Sequence, residues 1–206
     1  MSEQKRPDLF LYTQEELDAL KKKDKSLSAV IDRYGPIKRE VNKDLFSALV
    51  GSVISQQISG KAAETVKNRL IALCGGISPE RIHETDISSI QQCGMSMRKA
   101  KYIKEAGEAV YTGLIDLSAL EGMTDEEIIS ALSSLPGIGV WTAEMLLIFS
   151  LGRMDVLSYG DLAIRRGLCK LYGHKTITKE QFARYKKRYS PYGSLASLYL
   201  WRLSAE

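Results

Sequence analysis

The chain has 206 residues, 44% of them hydrophobic and 26% charged, and its 29 basic residues against 25 acidic ones give a net charge of +4. Such a composition is ordinary for a globular protein, and this length buries roughly 70% of the unfolded surface, which excludes a disordered chain or one that folds only around staples. Cys74, Cys93 and Cys169 are odd in number and widely spaced, which excludes a disulfide framework and a zinc or iron-sulfur spacing and points to free thiols in a reducing compartment. The first residues, MSEQKRPDLF, are polar with no apolar core, and no window reaches the length of a membrane span. A cytoplasmic location is therefore expected, nuclear if the source is a eukaryote, with no membrane partner. The small positive excess permits a polyanionic partner without requiring one.

In chain order the sequence reads as helix almost throughout. Thr13-Gln14-Glu15-Glu16 is a capping-box pattern that opens a short helix. Asp44 stands before LFSALVGSVISQQI, whose apolar residues are too dense for a surface helix, so this segment is expected to be buried. Gly60 to Leu73 continues as an amphipathic helix with Gly75-Gly76 as its stop. Ser78-Pro79 is a cap followed by proline at the first helical position. Ser96 opens MRKAKYIKEAGEAVY, where Ala100, Ile103 and Val110 share a face and Lys99, Lys101 and Lys104 crowd the first half. A second capping box, Thr124-Asp125-Glu126-Glu127, leads IISALSSL into the turn SLPGIGVWTAE. Helical runs then follow from Val140 to Ser150, Leu162 to Leu171, Lys179 to Tyr189 and Ser194 to Leu203. Alternating strand patterns are scarce and none adjoins a hairpin turn. The expected fold class is all-α.

In LSSLPGIGVWTAEML, Leu132 and Leu135 end one apolar helix face, Gly137-Ile138-Gly139 makes a turn, and Ala143, Met145 and Leu146 begin the next helix. Glycines take backbone angles closed to other residues and let a ligand approach the main chain. The amides of the turn also lie at a helix N-terminus, where orphan N–H groups and the helix dipole favour an anion. Gly137, Ile138, Gly139 and Thr142 are thus candidate phosphate contacts, although such a turn can also simply join two packed helices. Lys99, Lys61, Arg165 and Arg166 are further candidates, or stabilisers of helix ends. One helix onward, DVLSYGDLAIRRG brings Asp161 to the start of another helix, where a carboxylate can serve as an N-cap.

A hairpin, a helix, a short loop and an aspartate, in that order, resemble the helix-hairpin-helix DNA glycosylases. The resemblance narrows to the 3-methyladenine DNA glycosylase II branch in its short form, without an N-terminal β-domain. It covers about Asp44 to the C-terminus and rests on LFSALVGSVISQQISGKAA, LSSLPGIGVWTAEML, DVLSYGDLAIRRGL and SLASLYLW. It implies two helical lobes with a cleft between them: residues 45–152, with the helix-hairpin-helix at about 132–149, and a second lobe built from 1–44 and 153–206. It also implies that Asp161 is catalytic, that Trp141 and Trp201 line the base pocket beside it, and that Gln57, or its neighbour Gln56, is the minor-groove wedge that fills the space left by a flipped nucleotide. No cofactor is required, but a structural Na+ or K+ is expected at the backbone carbonyls of Ser133, Leu135 and Ile138. The expected partner is double-stranded DNA containing alkylated bases, and the expected state a monomer.

The implied function is base excision repair by a monofunctional glycosylase that releases 3-methyladenine and also 7-methylguanine. Ring alkylation makes a purine cationic, and an aromatic face attracts such a cation by about 1 to 2 kcal/mol when desolvated. The same charge makes the base a good leaving group, and an ionised carboxylate would stabilise the developing oxocarbenium-like sugar and orient or deprotonate the attacking water. The target must first leave the stack, which costs least for a damaged base. Bifunctional relatives carry a lysine nucleophile just after the hairpin turn, whereas this chain has Val140-Trp141-Thr142 there, so excision without β-elimination is expected. The four-cysteine cluster of the endonuclease III branch is absent. Two positions depart from the family pattern: Ser158 replaces a proline, and Tyr192-Gly193-Ser194 replaces an aromatic-arginine-serine run. His83 and His174 receive no role. The alternatives are a glycosylase for neutral lesions such as hypoxanthine or ethenoadenine, and a non-catalytic hairpin module that binds damaged or branched DNA.

Overall fold

The computed structural model describes residues 8–206, so the polar N-terminal stretch read above lies mostly outside the described residues. The helices in chain order are α1 (Gln14–Lys23), α2 (Lys25–Tyr34), α3 (Leu45–Ser55), α4 (Gly60–Cys74), α5 (Pro79–Glu84), α6 (Ile87–Gln92), α7 (Met97–Tyr111), α8 (Asp125–Ser133), α9 (Val140–Phe149), α10 (Leu162–Tyr172), α11 (Lys179–Tyr189) and α12 (Gly193–Ser204), with a short 3-10 turn at Ala119–Gly122. Among the described residues the β pairing is one isolated bridge, Leu9 with Glu40. The fold is all-α. No helix among the described residues is long and apolar enough to cross a membrane, and all three cysteines are free.

Local chemistry sets most helix starts. Thr13 and Thr124 form reciprocal capping boxes with Glu16 and Glu127, which satisfies orphan amides at both sites. Ser96 accepts from the Lys99 amide and Ser78 from the Arg81 amide. Two helices, α2 and α6, lie outside the sequence expectations. α2 follows the capping aspartate Asp24 and buries Leu27 and Ile31, four residues apart on one face. The helix expected through Ile58 instead stops at Ser55, and Gln57 takes φ 59°, a left-handed angle that a right-handed helix cannot accommodate.

The chain divides into two compact units, one of Asn42–Leu146 and one that joins the N-terminal residues through Val41 with Leu147–Glu206. In the central unit α3 is the core helix, with Leu49, Val50, Val53 and Ile54 at or near zero exposure, as its dense apolar sequence requires. Each such side chain contributes roughly 1.5–3 kcal/mol. α7 packs on α3, α5 and α6, and Gly107 lets Ile82 of α5 come close enough to fill the volume of a Cβ. Lys104 of α7 donates to the carbonyls of Ile82, His83 and Thr85, placing a cation on the negative end of α5.

In the other unit α12 is buried along nearly its whole length, from Gly193 to Leu200. α10 meets it backbone to backbone, because a Cβ at Gly167 would collide with the Leu200 carbonyl. Tyr199 is fully buried and donates to the Gly35 carbonyl at 3.1 Å, tying α12 to the end of α2 and satisfying a hydroxyl that would otherwise be costly to bury. The same unit holds a polar cluster around Asp24, which accepts from Tyr172 and Arg188, each at 2.7 Å.

Candidate functional site

α8, the turn and the start of α9 form the expected hairpin, held by buried Leu132, Leu135 and Ile138. Its two glycines have different reasons to be glycine. Gly137 has φ +81°, and a Cβ there would overlap the ring of Tyr102 from α7, so the fold itself demands it. At Gly139 a Cβ would meet nothing within 4 Å. The protein's own packing therefore leaves that backbone bare, as close approach of a ligand requires. The first N–H groups of α9 lack intrahelical partners by geometry, and no acidic side chain occupies its first turn, so no charge within that turn opposes an anion there. Thr142 is buried, only 8% exposed.

The loop from Gln56 to Ser59 belongs to the same unit. The Gln56 side-chain amide donates to the Gly137 carbonyl at 2.8 Å, fastening this loop to the hairpin turn. Gln57 is exposed and so is Ile58, so of the two glutamines it is Gln57 that faces solvent while Gln56 is an internal tie. Lys99, considered for a phosphate, donates instead to the carbonyls of Ile54 at 2.8 Å and of Gln56. This employs two of its three donors on the C-terminal end of α3. Burial, with a smaller contribution from Arg98, lowers its pKa below the ordinary lysine value. Trp141, on the first turn of α9, is 49% exposed.

The remaining candidates lie in the other unit. Asp161 is 7% exposed and caps α10, its Oδ1 accepting from the Ile164 amide at 2.9 Å. Trp201, half-buried on α12, packs against Phe149 with ring centroids 5.5 Å apart, and Arg39 lies over that phenyl ring at 5.0 Å. The departure at Gly193 has a local cause. A Cβ there would stand 3.0 Å from Asp155 Oδ1 and 3.2 Å from two backbone carbons, because Asp155 accepts the Gly193 amide at 3.0 Å at the start of α12. Ser158 is fully buried. His83 pairs with Glu108 at 2.6 Å, and His174 meets Tyr185 at 2.7 Å; sequence reasoning found neither partner.

The hairpin carbonyls suit a monovalent cation better than a transition metal, since they are neutral hard oxygens. The Leu135 carbonyl accepts the Ile138 amide at 3.1 Å, which leaves one lone pair, and the Ser133 hydroxyl is buried with no hydrogen-bond partner. Among the described residues no group of three or more His, Cys, Asp or Glu could hold a metal.

Residues 50–191 match the family described as HhH-GPD superfamily base excision DNA repair protein. The chain is 36% identical over 185 residues to a DNA-3-methyladenine glycosylase of Schizosaccharomyces pombe, covering 87% of this chain and 81% of that protein. A DNA-3-methyladenine glycosidase structure from Bacillus halodurans is similar with a TM-score of 0.86 and 36% identity, over 96% of this chain and 92% of the other. A second structure, an S. pombe 3-methyladenine DNA glycosylase in complex with abasic DNA, is similar with a TM-score of 0.78 and 34% identity, over 92% of this chain and 96% of the other.

Proposed function

The chain belongs to the HhH-GPD superfamily of base excision DNA repair proteins, and from that premise we propose that it is a monofunctional DNA glycosylase of the 3-methyladenine glycosylase II branch, hydrolysing the N-glycosidic bond of alkylated purines in duplex DNA. The observation that carries the reading is likeness along nearly the whole chain to proteins named DNA-3-methyladenine glycosylase or glycosidase. It acts as a monomer and needs no cofactor for the chemistry.

Each step falls to named groups. The bare backbone at Gly139 and the amides opening α9 hold a phosphate without reading sequence. Ser133, Leu135 and Ile138 would hold a Na+ or K+ through their backbone oxygens, and such an ion would add positive charge next to that phosphate. Gln57 enters the minor groove as the base turns out. Trp141 and Trp201 present aromatic faces to the cationic purine. The Asp161 carboxylate stabilises positive charge on the sugar as the bond to the base breaks, and it orients or deprotonates the water that adds to C1′. Val140-Trp141-Thr142 has no amine to form a Schiff base with the sugar, so the reaction ends at an abasic site.

Incubation of the protein with a methylated duplex tests this directly. Free 3-methyladenine should appear, and strands should break only after alkali treatment. Strand breaks before alkali would refute the monofunctional reading, and absence of any released base would refute the glycosylase.

A further inference from the structure

Lys99 stands in the first turn of α7 beside Arg98, with no acidic residue in that turn. Cations at a helix N-terminus oppose the dipole of their own helix, so α7 gains nothing from this lysine. What gains is α3, whose last carbonyls have no intrahelical partners and receive the ammonium at Ile54 and Gln56. Immediately after the second of these carbonyls comes Gln57, a non-glycine residue at φ 59°. That angle persists in such residues only where surrounding contacts impose it. The contacts are present on both sides: Lys99 on the Gln56 carbonyl, the Gln56 side chain on the Gly137 carbonyl at 2.8 Å, and Ser59 capping α4 through the Ala62 amide at 3.3 Å. Three residues on from Lys99, and so on the same face of α7, the ring of Tyr102 occupies the space beside Gly137.

We infer that the first two turns of α7 are a bracket that sets the wedge loop and the phosphate-binding turn at a fixed separation, with Lys99 and Tyr102 as its two contacts and Lys99 a positioning residue for Gln57 rather than a phosphate ligand. The inference rests on the wedge role of Gln57 proposed above. Removing the ammonium orphans two carbonyls and releases Gln57 to ordinary backbone angles. Duplex affinity then survives, but the wedge no longer enters in register with the grip on the backbone.

The test compares wild type, Lys99→Met, Lys99→Arg, Gln57→Ala and the Lys99→Met/Gln57→Ala pair as full-length proteins. Salt-dependent binding to undamaged duplex comes first, because a lost phosphate contact lowers affinity for every sequence and reduces the slope of log K on log salt by about one. Wedge entry is read on a duplex with a tetrahydrofuran abasic analogue next to 2-aminopurine, whose fluorescence rises on unstacking without any base release. Single-turnover release from a methylated duplex is the third measurement.

Lys99→Met should leave affinity and slope unchanged, lower the fluorescence response and slow release by about tenfold or more, with partial rescue in Lys99→Arg. In the Gln57→Ala background it should cost nothing further, since both changes disable one device. A slope reduced by about one, or losses that add in the double variant, would overturn the bracket. If Lys99→Met does not fold, Gln56→Ala reads the same coupling from a half-exposed side chain, and an unchanged fluorescence response there overturns it equally. A wild type that unstacks the probe but releases no base would sink the glycosylase reading and leave the bracket standing.

Discussion

The starts of α2 and α10 are built alike, and the proposed function gives them different ends. Asp24 accepts the Leu27 amide at 2.9 Å and Asp161 the Ile164 amide at 2.9 Å, and the two residues are 6% and 7% exposed. Asp24 is also ringed by donors from distant helices, the hydroxyl of Tyr172 and the guanidinium of Arg188, while Tyr172 in turn meets Tyr189 at 2.7 Å. Its charge is thereby neutralised within the fold, where it joins α2 to α10 and α11. A buried capping aspartate is thus not in itself a sign of catalysis. What singles out Asp161 in the proposed function is its place after the hairpin.

Exchanging each carboxylate for an amide should separate the two roles. Asp161→Asn keeps a good N-cap, so its main effect should be on single-turnover base release, which should fall by about a thousandfold. Asp24→Asn should do the reverse. It leaves Arg188 without its counter-charge and costs about 2 kcal/mol in urea unfolding. The figure lies below the 3–5 kcal/mol typical of a fully buried pair because the Arg188 side chain is 46% exposed. Release by Asp24→Asn should stay within about twofold of wild type. An Asp161→Asn protein that excises normally would erase the distinction.

The hairpin glycines offer a second contrast, between a position the fold requires to be glycine and one its own packing leaves open. Gly137→Ala must strain a left-handed backbone and displace Tyr102, and should cost about 1–3 kcal/mol of stability. Gly139→Ala has room for its methyl group, so stability should hold while duplex affinity drops by about tenfold in a titration at fixed salt. Trp141→Ala should slow release of cationic 3-methyladenine by about tenfold and of neutral hypoxanthine by less, as measured on matched duplexes.

The smallest effect concerns pH. Burial alone would raise the Asp24 pKa, but the Leu27 amide, the Tyr172 hydroxyl and Arg188 together hold it below its usual 3.8. Its stabilisation is therefore complete above about pH 4 and is lost as pH falls through the depressed value. Urea midpoints measured between about pH 2 and 5 should decline less steeply in Asp24→Asn than in wild type.

Helix starts were legible because their signals are local. Thr13, Ser96 and Thr124 cap within three residues of themselves, and the density of apolar residues after Asp44 announced a buried helix. The left-handed Gln57 was not legible, since glutamine carries no preference for that angle and the contacts that impose it come from elsewhere. Lys99 looked like a phosphate ligand because a lysine near a helix start usually meets solvent or an anion, and its actual partners lie 45 and 43 residues back in the chain. The close neighbour of Gly193, Asp155, lies 38 residues back in the chain.

By itself the sequence determined the all-α class, most helix boundaries and the hairpin turn of SLPGIGVWTAE, because caps, periodicity and glycine spacing act over a few residues. Only the tertiary structure decided that Asp24 is ringed by an arginine and a tyrosine, and that Lys99 binds the carbonyls of Ile54 and Gln56. It also separated Gly137, which Tyr102 requires, from Gly139, which nothing in the protein requires. Those outcomes depend on atoms brought together from distant parts of the chain, and no local pattern encodes them.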